Sequence, residues 1–145
     1  MTIDQKGKDL IAECEGLKLK PYLCAKGVAT IGIGSTFYED EKPVKLIDKP
    51  ITIDRAWGLF EKTKVNYEKA VNDSVKVDLT QSQFNALFVF TYNVGASAFK
   101  KSTLLKRVNA GCGYDLIKEA FLMWKGKKDL LLTRRKKEIN EYFRK

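Results

Sequence analysis

The chain has 145 residues, of which 44% are hydrophobic, and this is enough material for one compact fold with a buried core. Its net charge of +9 and pI near 9.4 favour polyanionic partners such as nucleic acid, membrane headgroups or the bacterial envelope. The three cysteines lack the paired spacing of a zinc site and the chain has no histidine. We therefore expect no metal, no obligatory disulfide and no histidine-based nucleophilic system.

The first predicted helix begins near the N-terminus, where Thr2 and Gln5 have the spacing of a capping box. Four apolar residues then share one helix face: Ile3, Leu10, Ile11 and Cys14. Gly16 directly after Glu15 predicts the end of this helix. Glu15 would lie in the last turn, where the negative end of the helix dipole disfavours an anion. A carboxyl group in that position suits proton donation.

A β-hairpin is predicted to follow this helix. A strand-like run leads through Tyr22 to Cys24, residues 25–27 form a turn, and a second strand starts at Val28. The two strands would hold Cys24 and the residues just after the turn close together.

Alternation along the second strand predicts two different faces. Thr30, Gly32 and Gly34 share one face, and Ile31 and Ile33 share the other. We expect the isoleucines to face a core and the opposite face to line a cleft, where glycines allow a ligand close to the backbone. Alternatively, the glycines serve only sheet twist or a bulge.

The rest of the chain is predicted to be helical, after a polar loop from 37 to 50. Helical spacing predicts a long connecting helix over 56–75. Thr80 starts a second capping box, and the following helix, ending at Gly95, is apolar nearly all round, which is typical of a buried centre. Shorter helices are expected around 104–108, 116–124 and 134–143.

The spacing of three residues resembles the signature of a known family. Glu15 is followed after eight residues by Cys24 and after five more by Thr30, which is similar to the catalytic spacing of the phage-type lysozymes, glycoside hydrolase family 24. Further matching blocks occur in the family's order along nearly the whole chain: residues 15–17, Tyr22, Gly27, 30–34, 79–81, 84–87, 92–95, Trp124 and 134–135.

The resemblance implies an α+β fold in a single domain over residues 1–145. A small N-terminal lobe with a β-hairpin would occupy about 1–55, a connecting helix 56–75, and a helical lobe 76–145. The resemblance also implies an endolysin, a monomeric muramidase without a cofactor. It would hydrolyse the β-1,4 bond between N-acetylmuramic acid and N-acetylglucosamine in peptidoglycan, in a cleft between the lobes.

By the same resemblance, Glu15 is the general acid and Cys24 occupies the position where the family commonly has aspartate. An ordinary thiol has a pKa of about 8.5, so Cys24 would be mostly protonated at neutral pH unless the site, with Lys26 close in sequence, lowers that value. A thiolate could orient or deprotonate a water molecule or attack the anomeric carbon. Thr30 would position the water or lie near the reacting carbon.

Six further residues are predicted to bind substrate: Gly32, Gly34, Tyr92, Asn93, Arg134 and Arg135. Tyr92 and Asn93 would contact the acetamido sugar, and the arginines would bind carboxylates of the muramyl peptide. The alternative for both arginines is a surface charge or a packing role.

Two other functions stay open at this point. A lytic transglycosylase cleaves the same bond with only one acid/base carboxyl, and a basic binding module would need no catalysis. The module has only its charge in favour, with no recognisable nucleic-acid motif. The basic residues of the last quarter fit a solvated helix face better than a dedicated binding surface.

The charged N-terminus does not have the pattern of a signal peptide, and no apolar run is long enough to span a membrane. We therefore expect synthesis in the host cytoplasm, no stable membrane insertion, and release to the cell wall by a separate holin-type partner. Oxidation that couples Cys24 to another cysteine would silence such an enzyme.

Overall fold

The computed structural model describes all 145 residues and contains seven α-helices and one two-stranded antiparallel sheet. The elements in chain order are α1 Gln5–Glu15, β1 Lys18–Leu23, β2 Ala29–Gly32, α2 Ile53–Ser74, α3 Gln81–Val94, α4 Ala96–Lys101, α5 Thr103–Asn109, α6 Tyr114–Leu122 and α7 Leu132–Tyr142. This order confirms the predicted α+β class, although the short helix α4 was not predicted. None of the helices combines the length and the apolar character that a membrane span requires.

The chain divides into two compact units, one of residues 11–65 and one that joins residues 1–10 to residues 66–145. The predicted division differs, because it places the first ten residues with the N-terminal lobe. Hydrogen bonds explain the difference: the Ile3 amide donates to Glu68 Oε2 at 2.9 Å, and Asn85 Nδ2 donates to Asp4 Oδ1 at 2.7 Å. The N-terminal residues are therefore tied to helices α2 and α3.

Helix α1 has the predicted end but not the predicted start. The capping box at Thr2 is wrong, because the helix begins at Gln5 and the Asp4 carboxylate accepts the amide of Gly7 at 3.1 Å. At the other end Gly16 has a φ of 76° and its amide donates to the Ala12 carbonyl. Only glycine adopts this backbone conformation at low cost, so the helix ends at Glu15 as predicted.

The core of the 11–65 unit forms around β2. Ile31 is fully buried and packs with a cluster from the following loop and from α2: Val44, Ile51, Ala56 and Leu59. Ile33 is also fully buried, as predicted. However, β2 ends at Gly32, since the Ile31 and Ser35 backbones pair across a tight turn. The strand alternation therefore stops before Gly34.

Helix α3 is the centre of the other unit. Thr80 forms the predicted capping box with Gln83, and Gly95, with a φ of 95°, follows the last helical residue. Almost every side chain between these ends is buried, and α3 packs against α4 and α7. A helix that is apolar on all sides is stable only when other helices surround it.

Polar contacts fasten the loop between β2 and α2. The Glu39 carboxylate accepts two hydrogen bonds from Arg55, at 3.1 and 3.0 Å, and its backbone carbonyl accepts one from Lys62. The Tyr38 hydroxyl donates to Asp48 Oδ2 at 2.8 Å. Burial and this hydrogen bond raise the pKa of Tyr38 to about 12.

The Tyr38 contact predicts a loss of stability in strong alkali. The folded state favours the protonated phenol, so the contribution of Tyr38 is complete below pH 10.0 and disappears as the pH rises towards about 12. We expect the difference in free energy of unfolding between wild type and Tyr38→Phe to shrink over this interval, as measured by urea unfolding. A difference that stays constant from pH 10.0 to about 12 would contradict this assignment.

Candidate active site

The hairpin turn after β1 fixes the position of Cys24. The Cys24 amide donates to the Val28 carbonyl at 3.0 Å, and the Gly27 amide donates to the Cys24 carbonyl at 2.8 Å. Gly27 has a φ of 76°. These contacts define a three-residue hairpin loop whose last position requires the left-handed conformation that glycine supplies.

The same turn directs hydrogen-bond donors at the Cys24 sulfur. The backbone amides of Val28 and Lys26 lower the pKa of the Cys24 thiol most, followed by the hydroxyl of Thr30, while burial opposes them. The Lys26 ammonium contributes least of these groups. Lys26 thus acts mainly through its backbone, and the thiolate form is stabilised chiefly by the turn itself.

Thr30 lies beside this sulfur and is only 2% exposed. Its hydroxyl is 2.8 Å from the Val28 carbonyl, to which it donates, and its proximity to the sulfur helps to lower the pKa of the Cys24 thiol. A hydroxyl has one proton. Donation to Val28 therefore fits the neutral thiol, whereas donation to sulfur fits the thiolate.

Tyr22 connects Glu15 to this group. Its Cα pairs with that of Thr30 across the sheet, and Tyr22 and Cys24 are two residues apart along the chain. Burial raises the pKa of the Tyr22 phenol, and the negative charges of Glu15 and Cys24 raise it further. The Tyr22 phenol therefore lies within electrostatic range of both Glu15 and Cys24, and beside Thr30 on the neighbouring strand.

Tyr22 had no predicted role beyond its match to the family's signature. Its two-residue spacing from Cys24 was a usable signal, because side chains two apart on a strand point to the same face. The Lys18 ammonium lies 4.2 Å from the centre of the Tyr22 ring, close enough for a cation–π contact.

Gly32 and Gly34 allow the backbone to turn at the end of β2. Both have positive φ values, 68° and 74°. A Cβ added to Gly32 would lie 3.4 Å from the Cβ of Ala56, so helix α2 covers this position. We therefore leave Gly32 out of the proposed substrate contacts.

Tyr92 and Asn93 lie at the end of α3. The Tyr92 side chain is 9% exposed and its ring packs 4.7 Å from that of Tyr67 and 5.7 Å from that of Phe88. Asn93 is half-buried, and its Oδ1 accepts a hydrogen bond from Arg135 Nη2.

Arg134 and Arg135 form a buried ionic cluster with Glu138. Arg135 is 0% exposed, donates to Glu138 Oε1 at 2.6 Å and to the Trp124 carbonyl at 3.0 Å, and lies over the Phe90 ring. Arg134 donates to the other Glu138 oxygen and to the Val89 carbonyl. Burial raises the pKa of the Glu138 carboxyl, and both guanidinium groups oppose that effect. This geometry favours the packing role for both arginines.

The thiolate site predicts a low titration midpoint for Cys24. In a Cys14→Ser, Cys112→Ser background, the ultraviolet absorbance of thiolate should rise at a pH below the ordinary thiol value. Thr30→Val should move the midpoint upward, because it removes one donor to sulfur. A midpoint at the ordinary value in both proteins would contradict the proposed stabilisation.

The buried cluster predicts a large stability effect on α7. Arg135→Leu should lower the free energy of unfolding by about 3–5 kcal/mol, since it leaves the buried Glu138 charge with one partner fewer. Arg144→Leu is the matched control, because Arg144 pairs with Glu141 at the same three-residue spacing but its side chain is 34% exposed, and it should have a smaller effect. Equal losses in urea unfolding would show that burial of the pair is unimportant.

Comparisons with known proteins identify the family and agree with the fold. The family model described as phage lysozyme matches residues 12–138. The endolysin of Salmonella phage P22 is 36% identical over 141 residues, 95% of each chain. A crystal structure of a P22 lysozyme mutant superimposes with a TM-score of 0.86 at 33% identity and covers 99% of both chains. The structure of the endolysin from Escherichia coli O157:H7 phage FAHEc1 superimposes with a TM-score of 0.89 at 35% identity, and the match covers 99% of this chain and 94% of that one. The chain belongs to the phage lysozyme family and is a glycoside hydrolase of the lysozyme type.

Proposed function

We propose that Glu15 is the general acid of this muramidase, that the Cys24 thiolate is the second catalytic group, and that Thr30 positions water. The observation that carries the proposal is the closed turn after β1, whose Lys26 and Val28 amides lower the pKa of the Cys24 thiol beside the buried Thr30 hydroxyl. Glycosidases need a proton donor and a second group at the anomeric carbon.

In the proposed reaction, Glu15 transfers its proton to the oxygen of the β-1,4 bond between N-acetylmuramic acid and N-acetylglucosamine. The bond from that oxygen to the anomeric carbon breaks, and positive charge develops on the muramyl ring. A water molecule then forms the new bond to this carbon and gives its proton to the Cys24 thiolate. Exchange with solvent returns Cys24 to the thiolate and Glu15 to the acid.

Thr30 and Tyr22 support this step in different ways. The Thr30 hydroxyl has no useful basicity, but it lies next to the sulfur and its lone pairs can accept a hydrogen bond from the attacking water. Tyr22 stays neutral because burial, and to a lesser extent its electrostatic interactions with Glu15 and Cys24, raise the pKa of its phenol. A neutral phenol adds no charge beside the sulfur.

Asn93 is the proposed contact for the acetamido group of the substrate. Arg135 is a pure donor, so it fixes the carbonyl oxygen of Asn93 towards itself and leaves the amide NH₂ group turned the other way. That group can donate to an acetamido carbonyl. Arg135 thereby acts on substrate through Asn93, and Tyr92 supports the end of α3 through its ring contacts.

We also propose the wider setting that the resemblance to the phage-type lysozymes implies. The substrate is peptidoglycan, the protein acts as a monomer, and a separate holin-type partner releases it to the wall for lysis of the host cell.

The catalytic assignment predicts a specific order of activities on purified peptidoglycan. Glu15→Gln should lower kcat by at least about 100-fold, because it removes the proton donor. Cys24→Ser should lower it strongly, since serine does not ionise, and Cys24→Asp should restore it. Cys14→Ser and Cys112→Ser are the matched controls and should retain activity.

The products distinguish hydrolysis from transglycosylation. Mass spectrometry of the released fragments should find reducing muramic acid ends, and anhydro sugars would instead identify a lytic transglycosylase. Full lysis by Glu15→Gln would overturn the catalytic assignment and favour a cationic, non-enzymatic action.

A further inference from the structure

The net positive charge of this protein comes from one part of the chain. Residues 100–145 contain 14 of the 27 basic and 5 of the 18 acidic residues, so the whole excess of nine lies there. Residues 1–99 contain 13 of each sign and are neutral. Catalysis by Glu15 and Cys24 does not use this asymmetry.

One loop in the basic part combines free lysines with exposed apolar side chains. This loop, residues 123–130 between α6 and α7, is called the basic-apolar loop below. Leu130 is 79% and Met123 is 53% exposed. Lys125 pairs with Asp129 at 3.3 Å, whereas Lys127 and Lys128 are exposed and have no ion-pair partner.

The basic-apolar loop is held in this shape at some cost. Lys128 and Asp129 have φ values of 54° and 56°, which side chains rarely adopt. The Leu131 amide donates to the Lys125 carbonyl at 2.8 Å, and Trp124, at the start of the loop, packs on Phe90. Leu130 is therefore exposed on a loop whose backbone is fixed, beside unpaired lysines in the part of the chain that carries the charge excess.

We propose that the basic-apolar loop binds the surface of an anionic phospholipid membrane. Lys127 and Lys128 would contact headgroup phosphates, while Leu130 and Met123 enter the boundary with the acyl chains. A hydrated anionic polymer offers phosphates or carboxylates to the lysines but no apolar phase to Leu130. The combination of both side-chain types therefore favours the membrane, and the binding is peripheral.

The test is sedimentation of the full chain with vesicles of phosphatidylglycerol and phosphatidylcholine, compared with phosphatidylcholine alone. Wild type should bind the anionic vesicles and not the neutral ones, and moderate salt should weaken the binding. Leu130→Ser should weaken it by at least about tenfold. The Lys127→Glu, Lys128→Glu double variant should weaken it by about 30-fold or more.

The chain supplies a matched control for each variant. Ile47 is 90% exposed, stands beside an aspartate as Leu130 does, and lies between Lys45 and Lys49 in the neutral part of the chain. Ile47→Ser and the Lys45→Glu, Lys49→Glu double variant should change vesicle binding by less than about twofold, because the local charge excess is absent. All four variants should keep their activity on purified peptidoglycan.

Three results would overturn the proposal. These are equal losses in the control variants, equal binding to neutral vesicles, and binding of the basic-apolar loop to purified wall polymer without binding to vesicles. The last result would assign the loop to the wall. Because activity is measured separately, none of these outcomes depends on the roles of Glu15 and Cys24.

Discussion

The turn from Cys24 to Val28 is the constraint on which the proposed chemistry of this lysozyme depends. Two backbone hydrogen bonds and a left-handed glycine close the turn, and this closure leaves the amides of Lys26 and Val28 free to point at the Cys24 sulfur. Backbone donors are fixed in place before substrate arrives, so they cost no reorganisation during the reaction. A cysteine can therefore occupy a position where the family commonly has aspartate, because the turn favours an anion of either kind.

The unit of residues 1–10 and 66–145 is made rigid in a different way, by a buried ionic cluster. Arg135 is completely buried and brings together Glu138, the Trp124 carbonyl and Asn93. A single guanidinium thus ties the end of α3 to α7 and to the start of the basic-apolar loop. Satisfying several donors at once is what makes a buried charge tolerable. One buried group accordingly supports both the proposed acetamido contact and the proposed membrane contact.

Much of this arrangement could be predicted from the sequence, because local signals decide it. Gly16 ends α1 whatever the tertiary structure, and the capping box at Thr80 and the glycine at 95 define α3 in the same way. The spacing of Cys24 and Thr30 predicted that they lie close together, because a hairpin leaves little freedom over so few residues. The grouping of Glu15 with them stays a prediction. The resemblance to the phage-type lysozymes was confirmed by the family match.

The features that were missed depend on contacts distant in sequence. Asp4 rather than Thr2 caps α1, and its carboxylate also accepts from Asn85, far along the chain. Arg135 was predicted to bind substrate, because an arginine on an amphipathic helix is usually exposed. It is buried instead, and it can be buried because Glu138, Trp124 and Asn93 together accept its hydrogen bonds. Gly32 looked open to a ligand, but helix α2 covers it. The local sequence pattern does not predict that Arg135 or Gly32 is buried.

The central claim is that the Cys24 thiolate, stabilised by the turn, works with Glu15. Its most direct test is the pH dependence of kcat/KM for wild type and Cys24→Asp on the same peptidoglycan fragment. If Cys24 must be ionised, one limb of the bell-shaped profile belongs to the thiol and should move to lower pH in Cys24→Asp, because a carboxyl ionises at lower pH than a thiol. Profiles with both limbs in the same place would contradict the account.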